Sequence, residues 1–174
     1  MEEGYQIEEL KEIKGDDKRP QFLKVVSILS FISIGFTFLG NISQLISGPA
    51  SKEDMLNQKV EMTKSITQLE QMDAEYWIES VRKLIAMSES LNNSFYAVTF
   101  LTFISALIGL FGVLKMWKGS KIGFHFYIIY SLISVGQVYL FVSPQVVPTF
   151  VVIWNVLISG VFVFMYSRNL KWMK

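Results

Sequence analysis

The sequence contains no cysteine. That excludes disulfide staples, thiol chemistry, cysteine-ligated metals and cysteine-linked lipid anchors together. It also excludes four-span architectures whose exterior loop is closed by disulfides. Histidine occurs once, as His125. One histidine without a carboxylate or thiol partner makes no metal site, and it reads as an interfacial residue facing water. Phosphate-cradling glycine loops and the basic runs that hold nucleic acid are also missing. A formal net charge of +1 gives no broad attraction for polyanions. Serines are plentiful, but a nucleophile needs a strained, glycine-flanked setting and a base within reach, and Ser159-Gly160 supplies neither. No catalytic, cofactor-binding or metal-ligating residue is identified. The chain is read as non-enzymatic.

Charge is missing in a patterned way. Residues 25–46, 95–114, 122–142 and 149–166 hold no Asp, Glu, Lys or Arg. Each is close to the roughly 20 residues that cross a bilayer core as a helix. The expected fold class is therefore all-α: a polytopic membrane protein with four transmembrane helices at about 25–46, 95–117, 122–142 and 149–166. Pro20 suits the first turn of a helix, Gly48-Pro49 ends the first span, and Ser143 to Pro148 makes a short uncharged turn. Phe22, Phe95, Tyr96, Trp117, Tyr166 and Trp172 fall at span ends, where amphipathic rings prefer the headgroup layer.

Two parts lie outside the spans. Residues 1–21 are a mixed-charge cytoplasmic tail with Ile7, Leu10 and Ile13 at helical spacing, and 22–174 form the four-span domain. Within that domain, residues 51–92 are an inserted exterior segment. Ser51 and Asp54 have the form of a capping box. Met55, Met62, Ile66 and Leu69 mark one helical face, and Trp77, Val81, Leu84 and Ile85 mark a second. Asp73 between them is read as the cap of a new helix, which predicts an extramembrane helical hairpin between the first two spans. A single helix lying flat on the headgroups is the rival arrangement. Asn41-Ile-Ser43 and Asn92-Asn-Ser94 fit a glycosylation sequon, which matters only in a eukaryotic secretory route.

Orientation follows from the basic residues. Lys115, Lys118 and Lys121 are the topology-determining group, because a positive link between two spans resists translocation. The tail with the adjoining Lys24, this link and the C-terminus carry 11 of the 16 basic residues, and the 143–148 turn carries none. Both termini are therefore expected in the cytoplasm, with 51–92 outside, in the inner membrane of a bacterium.

No span carries a charge at mid-depth, which lowers the expectation of a coupled carrier. Near the exterior ends, Asn41, Thr99, Thr102, Gln137 and Asn155 fall at a similar depth, while the cytoplasmic half is largely Ile, Leu, Val and Phe. This intramembrane polar layer is expected to point into the bundle and pair internally, either as a register-fixing layer or as the floor of a small-ligand pocket. Ser105, Gly109 and Gly112 form a small-residue stripe suited to close helix packing within one subunit. The favoured function is an accessory, scaffold or interaction subunit of a membrane complex. Its partners are the lipid bilayer and another membrane protein or a second copy, with no cofactor and no nucleic acid. The alternative is a small-molecule transporter or channel formed by an oligomer.

Overall fold

The computed structural model describes residues 19–174; the rest of the expected tail, residues 1–18, lies outside the described residues. Six α-helices follow in order: α1 Gln21–Ser47, α2 Lys52–Glu70, α3 Glu75–Asn93, α4 Phe95–Trp117, α5 Ile122–Gly136 and α6 Thr149–Ser167. Tight 3-10 turns at Gln137–Leu140 and Pro144–Val146 separate α5 from α6. α1, α4, α6 and α5 with its 3-10 extension are long and apolar enough to cross a membrane.

Local chemistry sets the helix ends. Pro20 stands just before α1, in an extended conformation, rather than within its first turn. At the other end Gly48 takes φ 75°, and its N–H donates to the Gln44 carbonyl before Pro49 stops the chain. α5 ends six residues earlier than the expected span, which reached residue 142. Glycine is a poor helix interior residue, and from Gly136 the chain tightens into a 3-10 turn. Ser143 then turns extended ahead of Pro144, as the residue before proline must.

α4 is the central element, packed against α1 on one side and α5 on the other. Its small residues make both contacts close. Gly112 and Gly123 of α5 meet backbone to backbone: a Cβ on Gly112 would sit 2.9 Å from the Gly123 carbonyl oxygen, and one on Gly123 would sit 2.6 Å from the Met116 nitrogen. Gly109 lies under the Tyr130 ring, where a Cβ would come within 2.8 Å. The stripe Ser105, Gly109 and Gly112 is thus consumed by packing inside the chain. Edge-on aromatic pairs extend the seams, Phe38 with Phe103 at 5.1 Å between α1 and α4, and Phe111 with Phe126 at 4.9 Å between α4 and α5. The core gathers toward the Lys115–Lys121 turn, where Leu23, Val26, Val113, Met116, Tyr127, Tyr166 and Met173 are buried together. The final residues close over this turn: Lys174 donates its N–H to the Gly119 carbonyl and accepts from the Lys121 N–H.

At the opposite end, α2 opens with both arms of a capping box. The Asp54 N–H donates to the Ser51 hydroxyl, and the Ser51 N–H donates to the Asp54 carboxylate. Hydrogen bonds from the Ser51 side chain, then its backbone, hold the Asp54 carboxyl below its ordinary 3.8. A carboxylate lowered by folding adds stability above that ordinary value, and the contribution is lost as pH falls through the lowered one. Asp73 corrects the expectation placed on it. It makes no side-chain cap for α3, whose N-cap is Ala74. Instead Asp73 takes φ 53°, its N–H donates to the Glu70 carbonyl, and the Ala74 N–H donates to the Leu69 carbonyl. That pair of bonds around a left-handed residue is a Schellman closure of α2. Aspartate, which tolerates this conformation better than most residues, occupies a position usually held by glycine.

One side-chain contact joins α3 to α2, and two more join it to the link that precedes α2. Lys59 Nζ reaches Glu89 Oε1 at 3.1 Å, and the Asn92 amide both accepts from the Ala50 N–H at 2.8 Å and donates to its carbonyl at 3.1 Å. Ile66 is the buried apolar residue of α2. The Trp77 ring lies 5.9 Å from that of Phe150 at the start of α6. A single residue, Ser94, separates α3 from α4.

Two substitutions test these contacts. Gly123→Ala should cost about 1–3 kcal/mol in detergent melting, because the added methyl would meet the Gly112 and Met116 backbone and the Lys115 Cβ, all fixed by the helix. Gly35→Ala, where no atom lies within 4 Å, should be neutral or stabilising by up to about 1 kcal/mol. Independently, Asp73→Gly should stabilise the α2–α3 turn by about 0.5–1 kcal/mol and Asp73→Val should weaken it by at least as much, read by amide exchange at the ends of both helices.

A hydroxyl-lined cavity as candidate functional site

Serines recur every third residue along α1, at Ser27, Ser30 and Ser33. On α5, Tyr127, Tyr130, Ser131 and Ser134 follow the i, i+3, i+4, i+7 spacing of one helical face. The fold turns the two rows toward each other. Ser30 and Ser33, the α5 row and Ser159 of α6 line a cavity of about 70 Å³, together with Ile34, Ile158 and Phe162. That is room for more than one water molecule among several polar partners.

Tyr166 of α6, wholly buried, anchors one edge. Its hydroxyl donates to Ser30 Oγ at 2.9 Å and lies 3.4 Å from the Val26 carbonyl. Its ring packs on Tyr127 at 4.7 Å, and Tyr127 in turn meets Tyr130 at 5.5 Å. This hydrogen bond is the polar link between α1 and α6. Nearby, the Ser27 and Ser105 hydroxyls are buried and, among the described residues, have no hydrogen-bond partner. Among the described residues the cavity lining carries no carboxylate, amine or imidazole. Its hydroxyls can donate to and accept from water or an uncharged polar group. Without a base they cannot activate a nucleophile, and without an acid–base pair they cannot relay protons at neutral pH.

This constellation reaches from the Lys115–Lys121 end of the helices to their middle, a region expected to be largely Ile, Leu, Val and Phe. The signal was the spacing of serine and tyrosine, which is invisible to a search for charged groups. The expected polar layer behaves differently. Thr102 and Gln137 come together, with hydroxyl and amide oxygen 3.5 Å apart across α4 and α5. Asn41 is buried, but its amide donates to the Thr37 carbonyl one turn back. Thr99 is likewise buried and bonded to the Phe95 carbonyl. Asn155 is exposed on α6, its amide donating to the Val151 carbonyl at 2.8 Å, so it departs from the expected inward orientation. The physical reason is the i−4 carbonyl, which a short polar side chain on a helix reaches without crossing to a neighbour. The five groups share a depth without forming a network.

Lys115, Lys118 and Lys121 sit at the α4–α5 turn as the sequence requires, with Lys115 Nζ 5.2 Å from the Phe111 ring centre. His125 is exposed and hydrogen-bonds through its ring to the Lys121 carbonyl. Among the described residues no group of three or more His, Cys, Asp and Glu side chains could hold a metal ion.

The two serines of α1 should respond in opposite ways. Ser30→Ala removes a partner from a buried tyrosine hydroxyl and should lower stability by about 0.6–1.5 kcal/mol. Ser27→Ala removes an unpaired buried hydroxyl and should be neutral or stabilising. Thermal melting of both variants in one detergent checks the pair, with Tyr166→Phe expected to match Ser30→Ala.

No protein-family model, no curated protein and no solved structure matches the chain, so its function rests on the residues and geometry described above.

Proposed function

We propose that the chain is a non-enzymatic integral membrane protein that acts as an accessory, scaffold or interaction subunit of a membrane complex. The observation that carries this reading is the interior of the four apolar helices. It holds a cavity of about 70 Å³ lined by hydroxyls, far smaller than the roughly 300–1,000 Å³ of ordinary small-molecule sites. Apolar side chains, by contrast, are displayed outward in number. Ile153, Trp154, Val156, Leu157, Val161 and Phe164 leave most of α6 uncovered, a surface for lipid and for the helices of another membrane protein or a second copy.

In this reading α1, α4, α5 and α6 form a four-helix transmembrane domain, and α2 and α3 form an exterior helical hairpin. The hairpin is supported by the Lys59–Glu89 ion pair and the Ala50–Asn92 clamp, which tie residues 30 and 42 positions apart. Both termini are cytoplasmic, in the inner membrane of a bacterium. That orientation is supported by the clustering of Arg19, Lys118 and Lys174 around one end of the helices, while Trp77 of α3 touches Phe150 beside the uncharged turn at the other. A second reading, a transporter or channel assembled from several copies, draws on the hydroxyl cavity alone.

Native cysteine is absent, so single cysteines report orientation without background. Gln71→Cys should react with a membrane-impermeant thiol reagent from outside intact cells, and Ser120→Cys only after permeabilisation; the reverse pattern would invert the topology. An accessory subunit should co-purify with a fixed partner from its native membrane in mild detergent. Purification alone, together with solute flux in liposomes that Ser30→Leu abolishes, would favour the transporter instead.

A further inference from the structure

We propose that a pocket at the Lys115–Lys121 end is a phosphate site, taking either the headgroup phosphate of an anionic lipid or a soluble phosphate ester. The pocket, about 520 Å³, is lined by Arg19, Trp117, Lys118, Gly119, Trp172 and Lys174. Three basic residues line it, and the backbone or side chain of each is placed by a separate constraint. The Arg19 guanidinium lies over the Trp117 ring with its Cζ 4.0 Å from the ring centre, and Phe31 braces that ring edge-on at 5.9 Å. Lys118 ends α4 as its C-cap. Lys174 is held by its two backbone hydrogen bonds to Gly119 and Lys121. Trp172 packs its ring against Gly119, whose φ of 81° and 3.3 Å clearance leave no place for a side chain.

Electrostatics favours an anion. Among the described residues no carboxylate side chain lines the pocket, and the sequence has no Asp or Glu after Glu89. The Arg19 Nε is buried and, among the described residues, has no hydrogen-bond partner. A guanidinium stacked flat on an indole keeps its donor edge directed and fits a planar or tetrahedral oxyanion bidentately. Two tryptophans beside it match the headgroup level of the proposed membrane, and basic pockets at the cytoplasmic ends of spans take anionic headgroups. The pocket has room for a headgroup as well as its phosphate.

The test uses the full chain in detergent, titrated with phosphatidylglycerol, phosphatidylcholine and inorganic phosphate, and read by native mass spectrometry and thermal shift. One phosphatidylglycerol should bind saturably in preference to phosphatidylcholine. Arg19→Gln with Lys118→Gln should weaken it at least about tenfold, whereas Lys171→Gln, outside the pocket, should change it little. Arg19→Lys, which keeps the charge but loses the planar stack, should fall between them. Melting of each variant without ligand separates lost binding from lost fold. Stabilisation by inorganic phosphate, sensitive to the same double variant and equal to that by the lipid, would assign the site to a soluble phosphate. Equal binding of both lipids with no effect of phosphate would overturn the proposal. So would an effect of Lys171→Gln as large as that of the double variant, because the attraction would then be diffuse surface charge.

Discussion

The contact between Gly112 and Gly123 governs the arrangement of the remaining helices. With only backbone at the crossing, α4 and α5 approach more closely than side chains allow, and dispersion contacts accumulate along the seam. Apolar side chains gain little by leaving lipid for protein in the proposed membrane, so close packing has to supply what the hydrophobic effect supplies in water. The turn Lys118 to Lys121 is short enough to keep the two helices in this register. Gly119, at positive φ, reverses the chain and leaves room for the Trp172 ring. The same few residues thus fix a helix pair, dock the C-terminal segment and place the cations of the proposed phosphate site.

Away from that end the packing loosens. α6 is the least buried of the four apolar helices, and its buried residue is Tyr166. It is held to α1 by a tyrosine–serine hydrogen bond, next to a cavity whose hydroxyls are only partly paired. A helix packed along one side, with its outer face apolar and uncovered, suits a protein completed by a neighbour. The same geometry argues against a solute path within one chain, because the cavity is small and carries no charge. These two features support the interaction reading over catalysis or transport.

α2 and α3 obey different physics. Their stability comes from caps and pair contacts: the Ser51–Asp54 box, the Asp73 turn, the Lys59–Glu89 pair and the Asn92 clamp. Exposed ion pairs contribute little, so the turn and the clamp matter more than the charge. The Asn92 amide is committed to Ala50, which leaves the sequon at that position without a free acceptor nitrogen. Ser94 alone separates this part from α4, so any force on α3 passes directly into the central helix.

The four apolar helices, their approximate ends and the capping box were determined by local sequence, because span length, charge exclusion and i to i+3 capping are properties of short segments. The Ser105, Gly109 and Gly112 stripe was equally legible, although its partner Gly123 was not. What tertiary structure decided was pairing. Asp73 closes α2 rather than opening α3, since the choice depends on which carbonyls the following N–H groups find. Asn41, Thr99 and Asn155 satisfy themselves within their own helices, whereas Thr102 finds Gln137; depth alone cannot separate these outcomes. The serine and tyrosine rows of α1 and α5 were present in the sequence as spacing, but they became a cavity only because the α4–α5 contact sets α5 against α1 with those faces inward. Arg19 and Trp172, separated by most of the chain, share a pocket for the same reason: helix crossings bring distant segments together, and no local pattern encodes a crossing.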